Sequence, residues 1–204
     1  LREVLKYPDV ERVTLVELDP EMIRIARTDP RLTELNKHAF DDPRVRVVNA
    51  DAFGWLRTTP GGFDAEIVDL PDPDETAVAK LYTKEFYSLA EHALAPGGRM
   101  VVQSGSPYFA PRSFWCIEAT IRSAGMAVRP YHVNVPSFGD WGYVLAARSA
   151  EPELRLDTPE PLRSLNQDTL DAAAVFPPDR GPRDEAVSTL MHPVLVDLEQ
   201  QEWS

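Results

Sequence analysis

Three short apolar runs, each closed by an acidic residue, constrain this chain's fold more than any other feature. Val13-Thr14-Leu15-Val16-Glu17-Leu18, Val45-Arg46-Val47-Val48-Asn49-Ala50 and Ala65-Glu66-Ile67-Val68-Asp69 each read as a strand. The first is nearly continuous in apolar character, as for a strand buried on both faces. Asp19-Pro20 marks a helix start after it, with proline at the first helical position and Met22, Ile23 and Ala26 following at helical spacing. Phe53 to Leu56 opens a short helix after the second run. Tyr82, Phe86, Leu89 and Ala93 fall on one face of an amphipathic helix, which Pro96-Gly97-Gly98 stops. Arg99 to Ser104 is a fourth strand. Pro111 to Ala124 is another helix, with Phe114, Ile117 and Ile121 on one face and Gly125 as its cap. Val128–Val135 and Tyr143–Ala147 read as a closing antiparallel pair joined through Phe138-Gly139-Asp140-Trp141-Gly142.

This alternation predicts an α/β fold with a mostly parallel sheet and helices on both faces. Ligands of such sheets bind at the carboxyl ends of the strands. Glu17 and Asp19, Asp51, Asp69 and Gln103 fall at those ends. Such a sheet should open with a strand and a Gly-rich loop. Leu1, Val4 and Leu5 instead read as the middle of a helix, so the chain is expected to begin just after that loop, with the first strand and the loop absent. Residues 1–149 are expected to form the nucleotide-binding catalytic domain. From about Glu151 the chain becomes polar and proline-punctuated. Residues 150–204 are expected to be an extension packed on the same domain, with helical turns near Thr169–Ala174 and Val194–Gln201.

Charge and composition narrow the function. A net charge of −12 argues against nucleic-acid binding, which depends on Lys and Arg neutralising phosphates. It suits a cationic substrate, and it is equally what keeps many proteins soluble. No apolar run approaches the roughly 18–20 residues of a membrane span. The single cysteine, Cys116, lies in Phe114-Trp115-Cys116-Ile117 and reads as a buried thiol. The four histidines have no metal spacing, and no metal site is expected. No G-x-S-x-G elbow is present, and Gly61-Gly62 precedes a strand rather than a helix, so neither a serine hydrolase nor a phosphate loop is expected.

The strand-end residues carry the chemistry. Glu17 could accept from two ribose hydroxyls, or be a solvated strand-end acid. Asp51 could accept from an adenine amino group, with the small Ala52 letting the base lie close. Asp69-Leu70-Pro71-Asp72-Pro73-Asp74-Glu75 places four carboxylates within seven residues, on a loop that two prolines prevent from continuing the sheet. Like charges this close are tolerable when a cation sits among them. Standing alone, the loop could equally be solvated. Trp141, Tyr143, Phe138 and Tyr108 could flank an aliphatic amine and make cation–π contacts, or simply pack.

With these residues in place the chain resembles the spermidine/spermine synthase family over nearly its whole length. Val16-Glu17-Leu18-Asp19 is similar to the family's ribose-binding motif, and Asn49-Ala50-Asp51-Ala52 to its adenine-binding pair. Ile67-Val68-Asp69-Leu70-Pro71-Asp72-Pro73 resembles its Asp-x-x-Asp-Pro loop. Leu94-Ala95-Pro96-Gly97-Gly98, Val102-Gln103-Ser104-Gly105-Ser106-Pro107, Phe176-Pro177-Pro178-Asp179 and Ser188-Thr189-Leu190-Met191-His192-Pro193 also fit. Leu70-Pro71 and Trp141-Gly142-Tyr143 look most like a bacterial branch that carries a membrane-spanning region ahead of the catalytic domain. The family's Gly-rich loop and N-terminal substrate segment have no counterpart here, and its Tyr-Pro-Ser-Gly segment becomes Pro136-Ser137-Phe138-Gly139, which leaves the amine open.

The resemblance implies a Rossmann-like, methyltransferase-type fold and transfer of an aminopropyl group from decarboxylated S-adenosylmethionine to putrescine or a related polyamine. It implies Asp69 as the catalytic residue; Asp69, Leu70, Pro71, Asp72 and Gln103 as substrate-binding; and Glu17, Asp51 and Ala52 as binding the adenosyl donor. Decarboxylated S-adenosylmethionine would be a co-substrate, with no prosthetic group. A homodimer is expected, with a cytoplasmic catalytic domain and any membrane attachment through the absent N-terminal region. These 204 residues alone are expected to bind an adenosyl ligand weakly and could be inactive. An S-adenosylmethionine-dependent methyltransferase and a non-catalytic polyamine- or nucleoside-binding protein stay open as alternatives.

Overall fold

The first three helices of this chain start where an aspartate precedes a proline or an alanine. The computed structural model describes residues 1–73 and 75–203. Asp74, one of the four carboxylates of the acidic loop, lies outside the described residues. The chain divides into two compact units: Leu1–Thr58 with Asp157–Ser164, and Thr59–Leu156 with Leu165–Ser204.

In the first unit, β1 (Val13–Glu17) and β2 (Val45–Asn49) pair in parallel, from Val13 opposite Val45 to Glu17 opposite Asn49. The Asp19 carboxylate accepts from the Glu21 amide at 2.8 Å and caps α1 (Pro20–Thr28), with Pro20 at the first helical position. Ile23 is the buried anchor of α1, and Met22 is 58% exposed. Asp29-Pro30 repeats the signal. Asp29 accepts from the Arg31 amide at 2.9 Å and starts α2 (Pro30–Asn36), a helix that the periodicity alone did not indicate. Asp51 accepts from the Gly54 amide at 3.0 Å and caps α3 (Ala52–Leu56).

The second unit holds a sheet of order β3-β4-β6-β5, built from β3 (Phe63–Val68), β4 (Leu94–Gln103), β5 (Ala127–Val135) and β6 (Gly139–Ala147). β3 and β4 are parallel, and the pairs made by β6 are antiparallel. β4 begins at Leu94, ahead of the expected Arg99. The register slips between Phe63–Leu94 and Ala65–Arg99, and Gly97, at φ +82°, lets the backbone turn within the bulge. β6 begins at Gly139, so most of the segment expected to link the hairpin pairs with β5 instead, and the turn is confined to residues 136–138.

The helices of this unit are α4 (Thr76–Ala79), α5 (Lys84–Ala93), α6 (Pro111–Ser123), α7 (Gln167–Ala172) and α8 (Val194–Glu202). Tyr82 sits in the 3-10 turn Lys80–Tyr82 rather than on α5, because the Thr83 hydroxyl takes the cap position and accepts from the Phe86 amide. α5 packs on β4, α6 packs on β5 and β6, and the two helices pack on each other. Beneath them Met100, Val102, Val144 and Ala146 are fully buried, together with Phe114, Ile117 and Ile121. Alternate strand residues point away from this layer, and Ile67 among them is 64% exposed.

The first unit contains the parallel pair β1-β2, and the second contains the four-stranded sheet β3-β4-β6-β5. Among the described residues β1 hydrogen-bonds only to β2, and β3 only to β4. No described helix is long and apolar enough to cross a membrane.

Candidate active site

In the first unit the expected adenosyl-binding residues share one end of a two-stranded sheet. Glu17 ends β1 and Asn49 ends β2, and the Ala50 amide donates to the Glu17 carbonyl at 3.1 Å, so the chain leaves both strands at one level. Glu17 is half-buried, and its Oε1 accepts from the Asp19 amide at 2.8 Å. Asp51 is half-buried and spends Oδ2 on capping α3. Ala52 opens that helix. Both carboxylates therefore have a structural task, and both stand at the strand ends where a ribose or a base would be read.

In the second unit Asp69 follows β3, and the acidic loop runs from it. Asp69 and Asp72 are exposed, while Pro73 is buried and anchors the loop. The Tyr82 hydroxyl reaches up from beneath. It donates to the Pro71 carbonyl at 2.9 Å and lies 3.3 Å from the Leu70 carbonyl and 3.5 Å from Gln103 Oε1. Gln103, at the end of β4, donates from Nε2 to Asp72 Oδ1 at 3.4 Å. Asp69, Leu70, Pro71, Asp72 and Gln103 are thus drawn to one place, with Tyr82 as the hub. Tyr82 is held in its neutral form, first by burial and then by Asp72, Glu199 and Asp69.

The neighbouring strand completes the floor. Tyr143 on β6 stands opposite Gln103 in the ladder, stacks on Tyr131 at 5.4 Å, and is pushed up by burial and by Asp69. Gly142 beside it admits no side chain, since a Cβ there would lie 2.4 Å from the Phe114 ring. Its carbonyl accepts from the Ser104 amide at 3.0 Å, which fixes the end of β4. Of the other aromatic candidates, Tyr108 already has a cation, because the Arg180 guanidinium lies 4.6 Å from its ring centre. Phe138 and Trp141 pair with each other at 5.3 Å.

Glu199 is a buried carboxyl that the strand-end reading did not include. It lies on α8 and is 6% exposed. Burial pushes its carboxyl up to about 7, with Asp72 and Glu202 adding to the rise and Ser113 and Trp203 opposing it. Its signal was a glutamate on the apolar stripe Leu195, Leu198 and Glu199. Among the described residues no Lys, Arg or His ion-pairs with Asp69, Asp72 or Glu199. Asp69 and Asp72 are exposed acids beside the neutral Tyr82 phenol, an arrangement chemically suited to a small organic cation. Cys116 lies below it as a buried thiol, raised to about 12 by desolvation and inert as a nucleophile.

A hollow of about 520 Å³ lies elsewhere in the second unit, lined by Arg129, Glu151, Leu154 and Gln167 among others. Arg129 there pairs with Glu151 at 2.6 Å.

Comparison with known proteins places the chain. The model of the spermine/spermidine synthase domain matches residues 1–158. A polyamine aminopropyltransferase of Streptomyces coelicolor is 53% identical over 206 residues, covering 100% of this chain and 39% of that protein. One of Mycobacterium tuberculosis is 51% identical over 207 residues, covering 99% of this chain and 39% of that protein. The chain therefore spans about two-fifths of the length of these relatives. Among solved structures, spermidine synthase from Thermotoga maritima superposes with a TM-score of 0.73 at 27% identity, over 86% of this chain and 61% of that one. A spermidine synthase in complex with the transition-state analogue AdoDATO gives 0.74 at 28% identity, over 86% and 62%. The fold is thus that of the spermidine synthases, and the chain belongs to the spermine/spermidine synthase domain family.

Proposed function

We propose that this chain carries the catalytic residues of an aminopropyltransferase that moves an aminopropyl group from decarboxylated S-adenosylmethionine to putrescine or a related polyamine. The observation that carries the reading is the set of carboxylates, Asp72, Glu199 and Asp69, whose charge acts on the Tyr82 phenol. Both substrates are cations, and the donor lacks the carboxylate that a basic site would read. The relatives named polyamine aminopropyltransferase support the same reading.

The reaction is an in-line displacement at the aminopropyl carbon beside the sulfonium. The attacking amine forms a C–N bond, the C–S bond breaks, and its electron pair returns to sulfur to give neutral methylthioadenosine. An alkylammonium has a pKa on the order of 10, so the nucleophile must shed a proton on the enzyme. Asp69, exposed at the end of β3, accepts a hydrogen bond from the amine and takes or relays that proton. Asp72, held by Gln103, retains the cationic substrate. Glu17 reads the donor's ribose, and Asp51 with Ala52 its adenine. The leaving group is activated by its own positive sulfur. Residues 150–204 act in this reading as an extension of one catalytic domain, and the reading carries a homodimer and a cytoplasmic catalytic domain.

The test is an assay of the full-length natural protein with decarboxylated S-adenosylmethionine and, separately, S-adenosylmethionine, each with a panel of amines. Methylthioadenosine release with the first donor is expected, and D69N should lower kcat by about 100-fold or more. Methyl transfer without aminopropyl transfer overturns the reading. Binding of methylthioadenosine with no turnover of any amine would make the protein a binding module.

A further inference from the structure

We propose that His132 is a pH-sensitive latch: while its ring carries both protons it fastens the strap of residues 173–180 to the β5–β6 hairpin, and it releases the strap when the ring loses a proton. The latch uses none of the residues assigned to the amine or to the adenosyl donor.

The strap follows α7 and crosses the second unit without forming a helix or a strand. The carbonyls of such a segment must be met from outside it. At its two ends, the His132 amide donates to the Ala173 carbonyl at 2.9 Å, and the Trp115 indole donates to the Arg180 carbonyl at 3.0 Å. Between them stands the His132 ring. Its Nε2 lies 3.1 Å from the Val175 carbonyl oxygen, and its Nδ1 lies 2.6 Å from Asp140 Oδ1. The Phe176 ring lies 4.7 Å from it and packs in turn on Phe114 and Trp115 of α6. His132 also stands opposite Gly142 in the ladder, and the Phe114 ring fills the place that a Cβ on Gly142 would take. The strap therefore closes the packing over Gly142, whose carbonyl fixes the end of β4.

The acceptors dictate the charge of the ring. A carbonyl oxygen only accepts, so Nε2 must bear a proton to bond Val175. An ionised carboxylate also only accepts, so Nδ1 must bear one to bond Asp140. Both contacts together require the imidazolium. A neutral ring has one proton, and the carboxylate is the stronger acceptor for it. The bond lost on deprotonation is thus the one to the strap, where a nitrogen lone pair then faces the Val175 oxygen. The charged groups around the ring come from two elements. β6 brings Asp140. The strap brings Arg180, 3.6 Å from Asp140 Oδ2, and Asp179, 3.5 Å from Arg180. Tyr108 takes the face of the same guanidinium at 4.6 Å. α6 contributes the uncharged rings of Phe114 and Trp115. Arg180 stays beside Asp140 when His132 turns neutral, so the hairpin side of the cluster remains paired.

The experiment follows hydrogen exchange of the 173–186 peptide in the full-length natural protein by mass spectrometry. It is read at about pH 5.5 and about pH 8.5, on either side of the range in which histidine changes charge. Each rate is divided by the intrinsic rate at its pH. Protection should fall about three- to tenfold from the lower pH to the higher, as for loss of one hydrogen bond. H132Q, neutral at both, should change by less than about twofold. D140N should also change by less than about twofold, because its amide can donate to Nδ1 and leave the proton of a neutral ring on Nε2 for Val175. Thermal melting checks that each variant is folded, and the wild type and D140N decide the matter if H132Q is not. A wild type whose protection changes by less than about twofold overturns the latch. A D140N protein that keeps the wild-type pH dependence overturns it as well.

Discussion

The Tyr82 hydroxyl donates to the Pro71 carbonyl at 2.9 Å, from a side chain that is 1% exposed. This contact joins the core to the acidic loop, which Gln103 also meets at Asp72. Prolines at 71 and 73 remove two backbone donors from the loop, so its carbonyls must be met from outside. Removing the hydroxyl in Y82F should cost about 0.5–1.5 kcal/mol of loop order. The amine KM of the full-length protein should rise about 2–10-fold for that energy. Hydrogen exchange at the Leu70 amide should accelerate whether or not the protein is assayed. Unchanged exchange would mean that the loop is held by other contacts.

A second prediction concerns pH. Glu66 stands on β3 opposite Met100, in the row that faces the helices, and its Oε1 has no hydrogen-bond partner. Burial raises its carboxyl from 4.5 to about 7, with Arg148 opposing the rise. At pH below 4.5 the folded and unfolded chains both hold the proton. As pH rises from 4.5 to about 7 the unfolded chain ionises while the folded one keeps its proton, so stability present in acid is lost across that window. E66Q should therefore raise the melting temperature at pH 8 and change it little at pH 4. Equal shifts at both pH values would assign the effect to packing rather than charge.

The strands and their terminal acids were legible because both are local. Asp19-Pro20 gives a cap and a first helical residue in two positions, and α1 starts there. The apolar runs of β1, β2 and β3 likewise announce themselves by period and length. What escaped notice depends on distant partners. Gly139 and Gly142 read as a turn, yet both lie in β6, where the Phe114 ring on α6 leaves Gly142 no room for a Cβ. Tyr82 read as one more apolar helix position, and its hydroxyl acquires meaning only when the Pro71 carbonyl arrives above it. Glu199 was placed within a helical turn, but its burial depends on which face of α8 meets α6.

The last prediction concerns how the chain's final helix is fastened. α6 begins at Pro111 with Ala110 before it, and Ala110 offers no side-chain cap. Glu202 supplies what is missing. Its Oε1 accepts from the Arg112 amide at 2.9 Å, and its Oε2 accepts from the Ser113 amide at 2.9 Å and the Ser113 hydroxyl at 2.8 Å. These are the unsatisfied donors of a helix start, met by a negative charge at the positive end of the helix dipole. E202A should cost about 0.5–2 kcal/mol, as loss of a cap does. For a protein of this size that is a fall of about 2–4 °C in melting temperature per kcal/mol. E202Q keeps an acceptor oxygen and loses the charge, so its melting temperature should fall between the two. Amides of α8 should exchange faster in E202A than in the wild type, because the helix loses its only described hydrogen bonds to the backbone of α6. An E202A protein that melts and exchanges like the wild type would show that solvent caps α6 equally well and that α8 is held by Leu195 and Leu198 alone.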